Sequence, residues 1–202
     1  RQFTVDGIEL NFAVNHLAGF LLTHRLLPLL KASARDGASA RVINVTGGIL
    51  GKIDLDNLQA EQGRYIGFRA YSHSKSIMMA ASYELARRLE GTGVTLNVAY
   101  PGGVRSTNMG SQPSTLPLWI RPIFGVVRRV LDTTAEKAAR SSIYLASSPE
   151  VEGVTGQYFN TRSKVTRWNA AVYDEAVQSA IWNISERLTG VSEKSVNQMA
   201  LV

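Results

Sequence analysis

Two side chains that can move a proton together stand in the segment Ala-Tyr-Ser-His-Ser-Lys at residues 70–75. Tyr71 and Lys75 are four residues apart, so in a helix they lie on one face, one turn apart. A lysine ammonium beside a phenol favours the phenolate and lowers a pKa that starts near ~10. Such a phenol can donate and accept a proton near neutral pH, as the interconversion of an alcohol and a carbonyl requires. Tyrosine and lysine are common residues, so the flanking sequence must decide whether this pair has that role.

The elements that would position the pair alternate between helix and strand. Apolar periodicity and turn residues predict helices over 12–30, 71–90, 134–147 and 168–188, and strands over 41–46, 94–100 and 156–160. The two longer strands are continuous apolar runs, which is typical of buried parallel strands. This order indicates the α/β class, a three-layer, Rossmann-like parallel sheet with helices on both faces. Ligands of such sheets bind at the carboxyl ends of the strands, where Gly47, Gly48, Pro101 and Gly102 occur.

The composition excludes several other kinds of protein. The 202 residues are 45% hydrophobic, as in one globular domain, and include no cysteine for disulfides or thiolate metal sites. The three histidines are too scattered for a metal site, and the net charge of +6 comes from dispersed residues, which argues against a nucleic-acid groove. No apolar run reaches the ~18–20 residues that a membrane helix needs, and no signal peptide is recognised. We therefore expect a cytoplasmic protein.

Several segments, taken in chain order, resemble the short-chain dehydrogenase/reductase family, and most closely its retinol-dehydrogenase-like branch. They are Asn15-His-Leu-Ala-Gly19, Arg41-Val-Ile-Asn-Val45, Tyr71-Ser-His-Ser-Lys75, Glu84-Leu-Ala-Arg-Arg-Leu89, Gly93-Val-Thr-Leu-Asn-Val98, Pro101-Gly-Gly-Val104 and the ending at 182–188. The resemblance implies a dinucleotide-binding fold that uses NAD or NADP to interconvert an alcohol and a carbonyl. It also implies that residues 1–202 are one domain of this kind, truncated at its N-terminus and so holding the C-terminal portion of the fold.

The resemblance assigns roles to individual residues. Tyr71 would be the acid/base, Lys75 would lower its pKa and hold the nicotinamide ribose, and Asn15 would support a proton-relay water. The turn after the second strand would meet the nicotinamide end of the cofactor through Pro101, Gly102, Val104 and either Ser106 or Thr107. An apolar segment at 116–127, which includes Trp119, would cover an apolar or bulky substrate.

The chain departs from the family at the end of its first strand. The family places a serine there that hydrogen-bonds the substrate oxygen, but the position falls on Gly47, which has no hydroxyl. Thr46 supplies a hydroxyl if the register slides by one residue, although adjacent strand residues face opposite sides. We expect Thr46, Gly47 and Gly48 beside the substrate, and Thr46 as a catalytic residue together with Tyr71, Lys75 and Asn15. Two hypotheses stay open: an oxidoreductase, and a catalytically impaired cofactor-sensing or interaction module on the same fold.

A second departure concerns the cofactor phosphates. The family's glycine-rich phosphate loop is absent from this sequence. We therefore expect roughly another hundred residues upstream in the parent protein, and weak binding of dinucleotide by this chain alone.

Partners are predicted from the same resemblance. The family commonly dimerises through the helices at 12–30 and 71–90, so a homodimer or homotetramer is expected, in which the small residues 80–82 would allow close helix contact. Arginines at 121, 128 and 129 beside the apolar segment leave a contact with a membrane surface open. The alternative is a plain helix packed on the core, and no nucleic-acid partner is expected.

Overall fold

The computed structural model describes residues 1–34, 37–47, 51–103 and 133–191, and its secondary structure alternates between helices and strands. The helices are Leu10–Phe12 (α1), Ala18–Ser33 (α2), Gly67–Arg88 (α3), Ala135–Ser147 (α4) and Glu175–Thr189 (α5), and a π-helical turn, Ala13–Leu17, joins α1 to α2. The strands are Ala40–Val45 (β1), Val94–Ala99 (β2), Tyr158–Phe159 (β3) and Val165–Thr166 (β4). Short 3₁₀ turns lie at Leu55–Asn57, Pro149–Val151 and Ala170–Tyr173.

The sheet has the order β1-β2-β3-β4. β1 pairs with β2 in parallel, from Ala40 opposite Val94 to Val45 opposite Ala99, and β2 pairs with β3 in parallel. β4 returns antiparallel to β3 after a turn in which Ser163 has a φ of 57°. The α/β prediction is confirmed, with an antiparallel edge strand that no periodicity could indicate because it is two residues long.

Helices cover both faces of the sheet because alternate residues of β1 point in opposite directions. Val42 packs with the cluster formed by α2, α3 and α5, whose buried members include Phe20 and Trp182. The next residue, Ile43, packs instead with the cluster beneath α4, which contains Leu145. This arrangement is the predicted three-layer architecture.

The starts of two helices and the burial of one strand differ from the sequence-based prediction. α3 begins at Gly67 rather than at Tyr71, so Tyr71 lies inside the helix. α5 begins at Glu175 rather than at 168, because the Asp174 side chain accepts hydrogen bonds from two first-turn amides and the preceding residues form a 3₁₀ turn. β1 was expected to be buried, but its residues are partly exposed because β1 is the edge of the described sheet.

The small residues of α3 that were expected to allow close helix contact are buried within this chain. Ala80 and Ala81 pack with Phe12 of α1, Leu17 of the π-helical turn and Ile181 of α5. Among the helices that the structure describes, none is long and apolar enough to cross a bilayer.

Candidate active site

The Tyr71 hydroxyl lies over Gly47, just beyond the carboxyl end of β1. A Cβ atom at position 47 would lie 2.7 Å from Tyr71 Oη and 3.1 Å from Tyr71 Cε1. Contacts between heavy atoms are normally ~3.5–4.0 Å, so the tyrosine occupies the space that a side chain at 47 would need. The phenol of α3 thereby reaches the strand end where ligands of parallel sheets bind.

Thr46 does not take the place of the missing serine in this geometry. Its side chain is buried, and its hydroxyl donates to the carbonyl oxygen of Gly47 at 3.5 Å. Among the described residues, Thr46 makes no hydrogen bond with Tyr71. The residue that faces the tyrosine hydroxyl is therefore Gly47, which is the position that direct counting along the strand indicated.

Lys75 reaches the same strand end from the next turn of α3. Its ammonium Nζ donates to the carbonyl oxygen of Val45, the last residue of β1, at 3.0 Å. Partial burial lowers the pKa of Lys75, because the charged form loses hydration. Both members of the predicted pair thus meet at the carboxyl end of β1.

The electrostatics of the tyrosine differ from the prediction. Burial, followed by the nearby Tyr100 phenol, raises the pKa of Tyr71. The predicted lowering by Lys75 is wrong for this arrangement, in which the ammonium is bonded to a backbone carbonyl and the phenol is partly removed from water. Tyr71 is consequently a neutral phenol, and a proton donor, throughout the neutral pH range.

Asn15 is connected to this pair through Ser74. Asn15 lies on the π-helical turn, and its Nδ2 donates to Ser74 Oγ at 2.9 Å. Ser74 is buried, and its hydroxyl donates to the carbonyl oxygen of Tyr71 at 2.8 Å. π-Helical turns are rare, and those that interrupt α-helices often lie at functional sites. Ser74 was not predicted, although its position next to Lys75 in the 71–75 segment is the signal that could have identified it.

The loop that follows β1 is attached to α3 beside the tyrosine. The Asp54 amide donates to His73 Nε2 at 3.0 Å, and Ser76 Oγ donates to the carbonyl oxygen of Gly51 at 2.8 Å. Burial lowers the pKa of His73, which favours the neutral ring. The Nε2 atom of a neutral ring can accept the hydrogen bond that the Asp54 amide donates. These bonds fix the wall of the site on the β1 side.

The turn after β2 lies at the neighbouring strand end. β2 ends at Ala99, and the Tyr100 amide still donates to Phe159 of β3 at 2.8 Å. Gly102 has a φ of 78°, and a Cβ there would lie 3.0 Å from Thr161 Cγ2, so this position requires glycine. Pro101 and Gly102 therefore lie just beyond the carboxyl end of β2, as the sequence predicted.

Some predicted site residues lie outside the described part of the chain. They are Gly48, Val104, Ser106, Thr107 and Trp119, together with the apolar segment at 116–127 and the arginines at 121, 128 and 129. Within the described ranges, no group of three or more histidine, aspartate or glutamate side chains could hold a metal ion.

Comparisons with known proteins identify relatives of this arrangement. The sequence model of the family described as short chain dehydrogenase matches residues 1–115. Retinol dehydrogenase 14 of Homo sapiens is 45% identical over 190 residues, which cover 93% of this chain and 54% of that protein. Retinol dehydrogenase 13 of Homo sapiens is 38% identical over 205 residues, which cover 98% of this chain and 59% of that protein. The chain spans little more than half the length of these relatives.

Solved structures share the fold. The crystal structure of an uncharacterized protein from Mycobacterium paratuberculosis is 26% identical with a TM-score of 0.63, over 95% of this chain and 62% of that one. The active-site complex of Pseudomonas aeruginosa RhlG with NADP is 25% identical with a TM-score of 0.55, over 79% of this chain and 58% of that one.

Proposed function

This chain belongs to the short-chain dehydrogenase family, and from that premise we propose that the protein is an NAD(P)-dependent oxidoreductase that interconverts an alcohol and a carbonyl. The observation that carries the proposal is the position of the Tyr71 hydroxyl over Gly47, with Lys75 Nζ on the last carbonyl of the same strand. A proton donor and a cation are thus held together where a parallel sheet binds its ligands.

The described residues fit the nicotinamide end of a dinucleotide. The Tyr71 hydroxyl and the Lys75 ammonium have the donors that ribose hydroxyls need, and Gly102 places no side chain at its own position in the turn after β2. When bound, NAD or NADP would supply or accept the hydride. The NADP complex of the Pseudomonas protein supports this assignment.

The chain's own residues would handle the proton. In carbonyl reduction, the neutral Tyr71 phenol donates its proton to the substrate oxygen, and in alcohol oxidation the phenolate accepts it. Lys75 holds positive charge at the same strand end, where its ammonium is bonded to the Val45 carbonyl and has further donors for the cofactor ribose. Asn15, bonded through Ser74 to the Tyr71 backbone, keeps a polar amide beside this route.

Gly47 sets the limit on the rate. The serine that the family uses at this position donates a hydrogen bond to the substrate oxygen, and its loss removes one donor to the developing charge. Loss of one such donor typically lowers kcat by ~10²–10³-fold. We therefore expect a slow enzyme in which Tyr71 is the principal polar contact of the substrate oxygen.

The substrate class follows from the relatives. Two human proteins named retinol dehydrogenase share 38–45% of this sequence over nearly the whole chain. We accordingly propose an apolar alcohol or aldehyde, of the size and polarity of a retinoid, as the substrate.

Gly47 also favours a second candidate function. A family member without the serine, and with a protonated tyrosine packed into its place, has the features of a catalytically impaired module that binds cofactor without turnover. The two functions differ in turnover and not in cofactor binding.

The experiment compares Tyr71→Phe with Tyr83→Phe in the full-length protein. Both replacements remove one hydroxyl from α3, but the Tyr83 ring packs against Trp168 and Tyr173, away from Gly47. With retinaldehyde or retinol and either cofactor, Tyr71→Phe should lose turnover by at least about a hundredfold, and Tyr83→Phe should retain it. Wild-type turnover by Tyr71→Phe refutes the role, and cofactor binding without turnover by the wild type establishes the module.

A further inference from the structure

Two consecutive residues of the π-helical turn are held by different helices. Asn15 Nδ2 is bonded to Ser74 Oγ of α3 at 2.9 Å, and His16 Nε2 is bonded to Ser185 Oγ of α5 at 2.7 Å. We infer that His16 and Ser185 are positioning residues, whose hydrogen bond fixes the turn so that Asn15 points at Ser74 and the Tyr71–Lys75 pair. This inference rests on the proposed function, because it concerns the same site.

The direction of the hydrogen bond follows from the donors available. Ser185 Oγ donates to the carbonyl oxygen of Ile181 at 2.7 Å, and a hydroxyl has only one hydrogen. Ser185 Oγ therefore accepts from His16 Nε2–H, which assigns the hydrogen of the ring to Nε2. Both partners are nearly inaccessible, with exposed fractions of 2% for His16 and 0% for Ser185.

Packing leaves the His16 ring little freedom. Its centroid lies 5.4 Å from that of Phe12 and 5.9 Å from that of Phe20, so aromatic rings flank it along the helix. Loss of the Ser185 hydroxyl would leave a buried N–H without a partner in this apolar setting. An unpaired buried donor is unfavourable enough to displace the ring or the backbone that carries it.

The π-helical turn explains why such a displacement would reach Asn15. In a π turn the backbone hydrogen bonds join residues i and i+5, a rare geometry whose hydrogen-bonded turn encloses one residue more than that of an α-helix. The adjacent α-helical segments therefore do not by themselves set the orientation of residues 13–17. The bonds of Asn15 to α3 and of His16 to α5 act on neighbouring Cα atoms, so movement at one is passed to the other.

The coupling gives α5 a role at a site that it does not touch. None of the described contacts joins α5 to Tyr71, Lys75 or Gly47, whereas Ser185 of α5 is bonded directly to His16, the residue that follows Asn15. Misplacement by about 1 Å of a group at a reacting centre can lower the rate by ~10²-fold. A hydrogen bond remote from the chemistry is therefore expected to affect kcat.

The test removes the bond from each end in the full-length protein. Ser185→Ala deletes the acceptor, and His16→Phe deletes the donor while keeping an aromatic ring between Phe12 and Phe20. Thr189→Ala is the matched control, because it removes a hydroxyl from α5 one turn later, where it donates to the Ser185 carbonyl at 2.6 Å. Thermal unfolding identifies any variant that does not fold. If Ser185→Ala or His16→Phe does not fold, the remaining variant of the two provides the measurement.

Two readouts distinguish positioning from a purely structural role. Either single variant should lower kcat about tenfold with little change in the KM for cofactor, and the double variant should be no slower than the singles. In ¹⁵N NMR spectra, the Asn15 side-chain amide should shift in Ser185→Ala and not in Thr189→Ala. An unshifted Asn15 amide overturns the inference, whether or not the protein turns over substrate, and so does a kcat equal to that of the control. Wild-type turnover by Tyr71→Phe would instead refute the proposed function.

Discussion

Replacement of Gly47 by alanine tests the close approach of Tyr71 to β1. The new Cβ would lie 2.7 Å from Tyr71 Oη, 3.1 Å from Cε1 and 3.2 Å from Cζ. All three distances are shorter than the ~3.5–4.0 Å of a normal contact. The backbone of Gly47 does not have the positive φ that favours glycine, so alanine is disfavoured there by the tyrosine alone.

The magnitude follows from this overlap. Addition of a methyl group to a filled site typically destabilises a protein by about 1–3 kcal/mol. In a Tyr71→Phe background the 2.7 Å contact is gone, while the contacts at 3.1 and 3.2 Å remain. We therefore expect Gly47→Ala to lower the free energy of unfolding less in that background, with a coupling of about 1 kcal/mol.

The assay is urea unfolding of the wild type, the two single variants and the double variant. Gly19→Ala provides the control, because Gly19 is helical and exposed and a Cβ there meets nothing within 4 Å. This control should be slightly more stable than the wild type. Equal losses for Gly47→Ala in both backgrounds would refute the placement of the tyrosine hydroxyl. The same geometry predicts that Gly47→Ser displaces Tyr71 and does not raise activity.

Three further predictions concern the site and its supports. Burial raises the pKa of Tyr71, so alcohol oxidation should keep accelerating as the pH rises past neutrality, while carbonyl reduction should stay level through neutrality. A plateau of oxidation near neutral pH contradicts this prediction. Burial lowers the pKa of His16 from 6.5 to about 3. The contribution of His16 to the free energy of unfolding is therefore complete above pH 6.5 and should decrease by ~1.4 kcal/mol per pH unit as the pH drops towards 3. Denaturant titrations at several pH values should show a smaller decrease for His16→Phe. Ser74→Ala removes the acceptor of Asn15 and should lower the free energy of unfolding by about 1 kcal/mol. The same variant should reduce kcat more than it changes KM. Unchanged kinetics would exclude a contribution of Ser74 to the site.

The sequence indicates the elements that depend on local pattern. Apolar periodicity identifies α3, and with it the pair formed by Tyr71 and Lys75, because a helix of 22 residues repeats its pattern many times. β1 and β2 are recognisable because they are continuous runs between glycine-rich turns. Counting along the strand places the family's serine at Gly47, the residue that faces the tyrosine, whereas the slide of one residue that would bring Thr46 there is not seen.

Features that depend on tertiary contacts are not readable in the same way. The π-helical turn has the residue pattern of an α-helix, and its bonds to Ser74 and Ser185 join residues 59 and 169 positions apart in the chain. The pKa of Tyr71 rises because of burial and the phenol of Tyr100, which follows β2, and spacing along α3 cannot reveal either. β4 is too short to show periodicity.

Transfer of deuterium from labelled cofactor to product tests the proposed activity most directly. The full-length protein, its Tyr71→Phe variant and Tyr83→Phe would each be incubated with retinaldehyde and with NADH or NADPH carrying deuterium at the transferable position of the nicotinamide. We predict that the wild type and Tyr83→Phe form retinol with deuterium on the carbinol carbon, and that Tyr71→Phe forms at least about a hundredfold less. Absence of labelled alcohol with the wild type, or equal labelling with Tyr71→Phe, would contradict the assignment of this site.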